Sequence, residues 1–416
     1  MRFIYTVLVH LLLPVALLRL IWRARRQRGY VEHVAERFGF YSHEREGRFI
    51  WIHAVSVGET RAAEPVIRML RERHPDYRIL LTHMTPTGRE TGAQLLRDSV
   101  VQCYLPYDFP WAVARFLHHF QPRAGIIMET EIWPNLIHAC ARRGVPCYLV
   151  NARLSAKSFR GYQRFGKLAR QALRTLTAIS AQTADDARRL AGLGARNVQI
   201  TGNVKFDIAP PDKLVELGRQ WRRSYGETRP VLLAASTRDG EEDLILERLP
   251  DISVPGLLAV IVPRHPQRFD EVAQVVQKRG LRLQRRSEQA PVAPETQVLL
   301  GDSMGEMFAY YAACDVAFIG GSLLPYGAQN LIEACAVGKP VLIGPSNYNF
   351  AEATGGAVAA GAAIRVADAA GLAREARKLL LDRGLQVRMG QAALAFCAAH
   401  RGATERVVQL IQLRAP

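Results

Sequence analysis

The stretch FIWIHAVSVGE, residues 49–59, decides how the chain is read. Phe49 to Val57 is an apolar run of strand length, Gly58-Glu59 follows, and Thr60 to Arg73 carries helical periodicity. An apolar run without alternation suits a strand buried on both faces, as in a parallel sheet covered by helices. The unit then repeats. Strands are expected at 77–82, 100–105, 124–129, 146–151, 178–181 and 198–201, with helical stretches between them. The paired prolines of DIAPPD, residues 207–212, read as a linker, and the alternation restarts. The second series of strands is expected at 230–235, 256–262, 281–284, 297–300, 316–320, 340–343 and 363–366, ahead of a helical tail at 372–413. Strands alternating with helices imply mostly parallel sheets, so the fold class is α/β in two halves of similar size. The cleft between such halves is the default ligand site.

Length and composition agree. A chain of 416 residues exceeds one ordinary domain, and 49% hydrophobic with 22% charged residues is globular rather than disordered. The net charge of +17 asks for an anionic partner: nucleic acid, anionic lipid or a phosphorylated small molecule. No element interleaves aromatic with basic residues, which disfavours nucleic acid. The six cysteines, Cys103, Cys140, Cys147, Cys314, Cys335 and Cys397, form no C-x-x-C pair and read as buried reduced thiols. His118 and His119 are adjacent and point different ways on a helix. No metal centre is therefore expected, and the absence of Walker and dinucleotide fingerprints argues against ATPase and dehydrogenase chemistry.

Residues 3–22, FIYTVLVHLLLPVALLRLIW, are just long enough to span a bilayer core as one helix, although His10, Pro14 and Arg19 interrupt them. Arg23, Arg25, Arg26 and Arg28 follow directly. By the positive-inside rule the body then lies in the cytoplasm. A single-pass anchor leads, ahead of a monotopic helix in the interface and of a soluble core helix. The first two agree on a basic body held against anionic lipid. No site for a cleavable signal peptide is seen.

Several strand ends carry candidate chemistry. Glu59 sits where a buried strand meets a helix, and Gly58 lets a ligand approach the backbone. A carboxylate there can accept a proton from an attacking hydroxyl, or simply complement the helix dipole. Because a helix N-terminus lowers a carboxylate pKa, a base role needs desolvation or a neighbouring carboxylate to oppose it. Glu129 and Glu131 in ETEIWPN are the first suspects, or else helper groups for the helix that begins near Pro134. In the second half, Arg264 at a strand end suits a phosphate or base. Gly301 to Glu306 reads as a loop-to-helix turn, and Gly320-Gly321-Ser322 ends a strand. Gly327 to Glu333 is expected to open a helix whose N–H groups take an anion, with Glu333 placed for a ribose diol.

These residues resemble a known family. WIHAVSVGE, THMTPTG, YLPYD, ETEIWPNL, NARLS, GNVKFD, VPRHPQRF, GDSMGEM and FIGGS, together with the N-terminal segment and ERFGFY, are similar to bacterial 3-deoxy-D-manno-octulosonic acid (Kdo) transferases. The resemblance implies a GT-B fold: an anchor and basic flank at 1–28, a Rossmann-like acceptor domain at 29–208 and a Rossmann-like donor domain at 209–416, facing a cleft. It implies inverting transfer of Kdo from CMP-Kdo to the lipid A precursor at the cytoplasmic face of the inner membrane, with no cofactor and no metal. It gives Glu59 as general base, with Glu129 and Glu131 supporting base or acceptor. It gives Pro263, Arg264, Met304, Gly305, Glu306, Asn330, Leu331, Ile332 and Glu333 as CMP-binding positions. YGAQNLIEA departs from family versions carrying GGHNPLEA, which leaves Leu331 and Ile332 as backbone contributors only. Arginines between Arg19 and Arg48 are candidates for acceptor phosphates and lipid headgroups. The competing readings are a non-catalytic binding protein for anionic lipid and a nucleotide-sugar epimerase on the same architecture.

Overall fold

In the computed structural model, residues 1–25, 27–43, 47–164 and 166–414 are described, Arg28 by its backbone alone. The chain forms two compact units, Met1–Asp207 with His400–Pro416, and Ile208–Ala399.

The first unit holds β1 (Phe49–His53), β2 (Arg78–His83), β3 (Val101–Tyr104), β4 (Ala124–Met128), β5 (Cys147–Ala152), β6 (Ala178–Ala181) and β7 (Val198–Ile200). They pair in parallel in the order β3-β2-β1-β4-β5-β6-β7. β1 is buried throughout, and its period of two splits it between the faces. Phe49 and Trp51 enter one core with Phe116 and Phe120, while Ile50 and Ile52 enter the other with Val66 and Ile67. Each such side chain contributes roughly 1.5–3 kcal/mol of burial. Trp51 fits because its neighbour on β4 is Gly125, where a β-carbon would lie 2.7 Å from the indole. Its Nε1 donates to Thr82 Oγ1 at 2.8 Å.

The second unit holds β8 (Val231–Thr237), β9 (Leu258–Pro263), β10 (Leu283–Arg285), β11 (Val298–Leu300), β12 (Val316–Ile319), β13 (Val341–Ile343) and β14 (Ala363–Arg365). They too are parallel, in the order β10-β11-β9-β8-β12-β13-β14. All six cysteines are buried and unbridged.

Every expected strand is present. β1 stops at His53 rather than Val57 because Ser56 caps the helix Val57–Arg73. Three expectations need correction. The helical tail does not lie wholly inside the second domain. It is three helices, Ala369–Leu381, Arg383–His400 and Ala403–Leu410, and the last belongs to the first unit. Val407, Val408 and Ile411 complete the core beneath β1, and Asp207 accepts hydrogen bonds from the N–H groups of Gly402 and Thr404 at 2.6 and 2.5 Å.

Residues 3–22 are not one helix either. Helices Arg2–Leu11 and Leu13–Ala24 meet at a 48° bend, and among the described residues no single helix is long and apolar enough to cross a membrane. Pro14 supplies the cause: its ring clashes with the preceding turn and it has no N–H to donate. The first helix turns its polar residues onto the body. Tyr5 donates to Asp108 Oδ2 at 3.0 Å, Thr6 to Asn135 Oδ1 at 3.1 Å, and Trp111 Nε1 to His10 Nε2 at 3.3 Å. Phe3, Leu8, Leu11, Val15, Leu18 and Trp22 stay exposed.

The third concerns the basic flank. Arg37 is buried, with its guanidinium 3.9 Å from the Tyr104 ring centroid, so it is no surface cation. Arg26 and Arg45 lie outside the described residues.

Candidate functional site

The strand order reverses between β1 and β4 in the first sheet and between β8 and β12 in the second. Loops leaving the C-terminal ends of the two strands diverge there and open a crevice where ligands of parallel sheets bind.

At the first reversal, Glu59 follows β1 and Glu129 follows β4. The helix after β1 begins with the capping box Ser56-Val57-Gly58-Glu59. Ser56 Oγ accepts the Glu59 N–H at 3.4 Å and donates to Glu59 Oε1 at 3.1 Å, while the Val55 N–H donates to Oε2 at 2.8 Å. These contacts fix the carboxylate and by themselves hold its pKa down. Burial outweighs them, and with added push from the charges of Glu129 and Glu131 it raises Glu59 from 4.5 to about 7. The two neighbouring carboxylates, first suspected as the main cause, are the smaller contribution.

Glu129 has a left-handed φ of +56° and pairs with Lys205 Nζ at 2.8 Å. Lys205 lies outside the candidates read from sequence, although GNVKFD carried it; its approach to Glu129 depends on the loop after β7. That loop is held by Asn151 at the end of β5, fully buried with φ +54°, whose Oδ1 accepts the Val204 N–H at 3.2 Å. Glu131 is half-buried, and burial followed by the Glu129 charge raises its pKa. The helix Pro134–Arg142 is held at its start by Asp108, which accepts the N–H groups of Asn135 and Leu136 at 2.9 and 2.8 Å. Asp108 is also the acceptor for Tyr5, so the first N-terminal helix is tied to the element that follows the acidic loop. His53, at the end of β1, is wholly buried, and burial drops its pKa to about 3, so it is neutral and no proton carrier near neutrality.

In the second unit the expected positions all lie at or beyond the C-terminal ends of the parallel strands β9, β11 and β12. Pro263 ends β9 buried, and the Arg264 N–H donates to Thr237 O at 3.0 Å. After β11, Met304 is exposed, Gly305 has φ +82°, and Glu306 accepts from Arg286 at 3.1 Å, with the Arg286 guanidinium 4.6 Å from the Trp221 ring centroid. After β12, the helix expected from Gly327 begins only at Ile332 and runs Ile332–Ala336. Left-handed φ angles of +85° at Gly327 and +65° at Ala328 keep the preceding loop out of the helix. Asn330 accepts the Ile332 N–H at 3.1 Å and donates to Glu333 Oε1 at 3.2 Å, so these two side chains form one unit. Leu331 and Ile332 are fully buried in the core.

Sequence reasoning missed Ser236, Thr237, Arg238 and Glu241, at and just beyond the end of β8. Ser236 has φ +57° and meets Gly320 so closely that a β-carbon there would lie 2.5 Å from Ser236 O. The signal was the polar STRDGEE following an apolar strand; its weight depended on β8 being the strand at the reversal. Among the described residues no group of three or more His, Cys, Asp or Glu is arranged to hold a metal ion.

A family model described as 3-Deoxy-D-manno-octulosonic-acid transferase (kdotransferase) matches residues 32–208, and one described as Glycosyl transferases group 1 matches residues 249–396. Among solved structures, a glycosyltransferase from Rickettsia africae ESF-5 is similar with a TM-score of 0.59 at 12% identity, covering 88% of this chain and 98% of its own. UDP-GlcNAc 2-epimerase from Neisseria meningitidis is similar with a TM-score of 0.61 at 17% identity, covering 87% and 99%. Those likenesses concern the fold, which transferases and epimerases share. With the two sheets and the second family match, they define a glycosyltransferase of the GT-B class. The 3-deoxy-D-manno-octulosonic acid transferase of Bordetella pertussis is 43% identical over 99% of both chains, and that of Haemophilus influenzae 37% identical over 99% of this chain and 98% of its own. The chain belongs to the Kdo transferase family.

Proposed function

We propose that this enzyme transfers Kdo from CMP-Kdo to the lipid A precursor of lipopolysaccharide, with inversion at the anomeric carbon and Glu59 as general base. The observation that carries the base assignment is a carboxylate fixed at the β1–β4 reversal with its pKa raised to about 7. A base poised near neutrality is ionised often enough to accept a proton and basic enough to pull it. In a single displacement, a primary hydroxyl of the acceptor gives its proton to Glu59. Its oxygen bonds to the anomeric carbon, and the bond from that carbon to the phosphate oxygen breaks, with CMP leaving on its electron pair. Pro263, Arg264, Met304 to Glu306 and Asn330 to Glu333 are the residues proposed to hold CMP, with Arg264 facing the leaving phosphate. Burial keeps Glu59 basic, with a smaller push from the charges of Glu129 and Glu131.

The acceptor is a lipid, and a first helix with polar residues against the body, with apolar residues exposed on both N-terminal helices, supports docking on an anionic membrane face. We read this as monotopic attachment at the cytoplasmic side of the inner membrane. The test incubates the protein with CMP-Kdo and the tetraacylated lipid A precursor and reads the mass of the product. Glu59→Ala is expected to lose turnover while still binding CMP. Transfer by that variant near the wild-type rate would overturn the base assignment, and no product from wild type would overturn the substrates.

A further inference from the structure

The donor proposed above carries two anions, the phosphodiester and the carboxylate of the sugar, and Arg264 accounts for one. We propose that Arg238, at the strand reversal of the second sheet, binds the carboxylate of the transferred sugar and thereby selects an acidic sugar over a neutral one. The inference rests on the CMP-Kdo reading.

Glu241 is wholly buried, and its carboxylate accepts the N–H groups of Gly321, Ser322 and Leu323 at 2.5, 2.9 and 2.9 Å. It also accepts the N–H of Arg238 itself at 2.9 Å. Those amides are therefore spent, and the Gly320-Gly321-Ser322 turn cannot use them to hold an anion. The remaining acids go to a different arginine. Arg268 pairs with Glu242 at 2.8 Å, Glu271 at 3.2 Å and Asp239 at 3.4 Å. Arg238 is left with no carboxylate partner among the described residues.

Its placement is nonetheless fixed. The backbone is tethered to Glu241, and the side-chain stem runs across the glycine turn, where a β-carbon on Gly321 would sit 3.4 Å from Arg238 Cγ. The guanidinium lies 4.6 Å from the Tyr326 ring centroid. Tyr326 in turn donates its hydroxyl to Asp239 O at 3.2 Å. A half-exposed arginine, oriented by a ring and a glycine turn and lacking an acid, is a fork ready for a carboxylate. The charges of Arg238, Arg264 and Arg268 all act on His265, where they add to burial in lowering its pKa. The Arg264 N–H donates to Thr237 O at 3.0 Å, and Thr237 pairs with Pro263, so Arg238 and Arg264 leave adjacent strands side by side.

The test separates the two anions, because CMP keeps the phosphate and lacks the sugar carboxylate. For Arg238→Gln the KM for CMP-Kdo is expected to rise about tenfold or more, and the inhibition constant of CMP to stay within about twofold of wild type. Arg238→Lys, which keeps the charge and loses the fork, should fall between. Unchanged CMP inhibition also reports that the variant is folded. Equal weakening of CMP and CMP-Kdo would assign Arg238 to the nucleotide and overturn the proposal, as would an unchanged KM. Failure of wild type to turn over CMP-Kdo would instead remove the donor reading on which the proposal stands.

Discussion

Glu59 is expected to set the pH dependence of transfer across neutrality. With a pKa of about 7, its ionised fraction is roughly 9% at pH 6 and 90% at pH 8. kcat/KM should therefore climb about tenfold over that range, with unit slope below pH 7 and a plateau above. A carboxylate at the ordinary 4.5 would be about 97% ionised at pH 6 and give a flat profile. Stability should move the opposite way. Burial makes the folded state hold this proton more tightly than the unfolded state does. The resulting stabilisation is complete below about pH 4.5 and lost as pH rises through about 7. At pH 8 the ionised carboxylate then costs roughly 3 kcal/mol relative to the neutral acid. Glu59→Gln resembles the neutral acid at every pH, so it should be inactive yet more stable than wild type at pH 8, with little gain at pH 5. The assays are initial-rate transfer at constant ionic strength from pH 5.5 to 8.5, and urea unfolding of both proteins at pH 5 and 8. A flat rate profile, or a Glu59→Gln variant less stable than wild type at pH 8, would refute the claim that burial governs this carboxylate.

Lys205→Met removes the partner of Glu129, leaving an uncompensated charge that raises Glu59 further. The rate inflection should move above pH 7 and activity at pH 7 should fall several-fold, whereas Lys205→Arg should keep the wild-type profile. Tyr5→Phe deletes the hydroxyl donated to Asp108. It should loosen the first helix by about 1 kcal/mol, read as faster proteolysis within residues 1–25 without a change in the unfolding of the sheet. Glu241→Gln leaves several buried amides short of an acceptor and should destabilise the second unit by about 2–4 kcal/mol in urea unfolding. A loss under about 0.5 kcal/mol would mean that the carboxylate does not organise the glycine turn.

The sequence by itself determined both sheets. Runs such as Phe49 to His53 and Leu258 to Pro263 are apolar without alternation because both faces of a parallel strand are covered, and that requirement is written locally. It also determined which strand ends carry polar residues, and so pointed to Glu59, Glu129 and Arg264, and to the family. The tertiary structure alone decided what depends on distant residues. The basicity of Glu59 comes from burial by the whole unit, against a local cap that pulls the other way. Lys205 reaches Glu129 across 76 residues, and Asp108 reaches Tyr5 across 103. The last helix returns to the first core because Val407, Val408 and Ile411 fill a face that local sequence had not fully covered. Arg238 gained its meaning only when strand order put β8 at the reversal and the surrounding acids were seen to be committed elsewhere. Periodicity records what each segment must cover; which charge is left without a partner is settled only once all of them are packed.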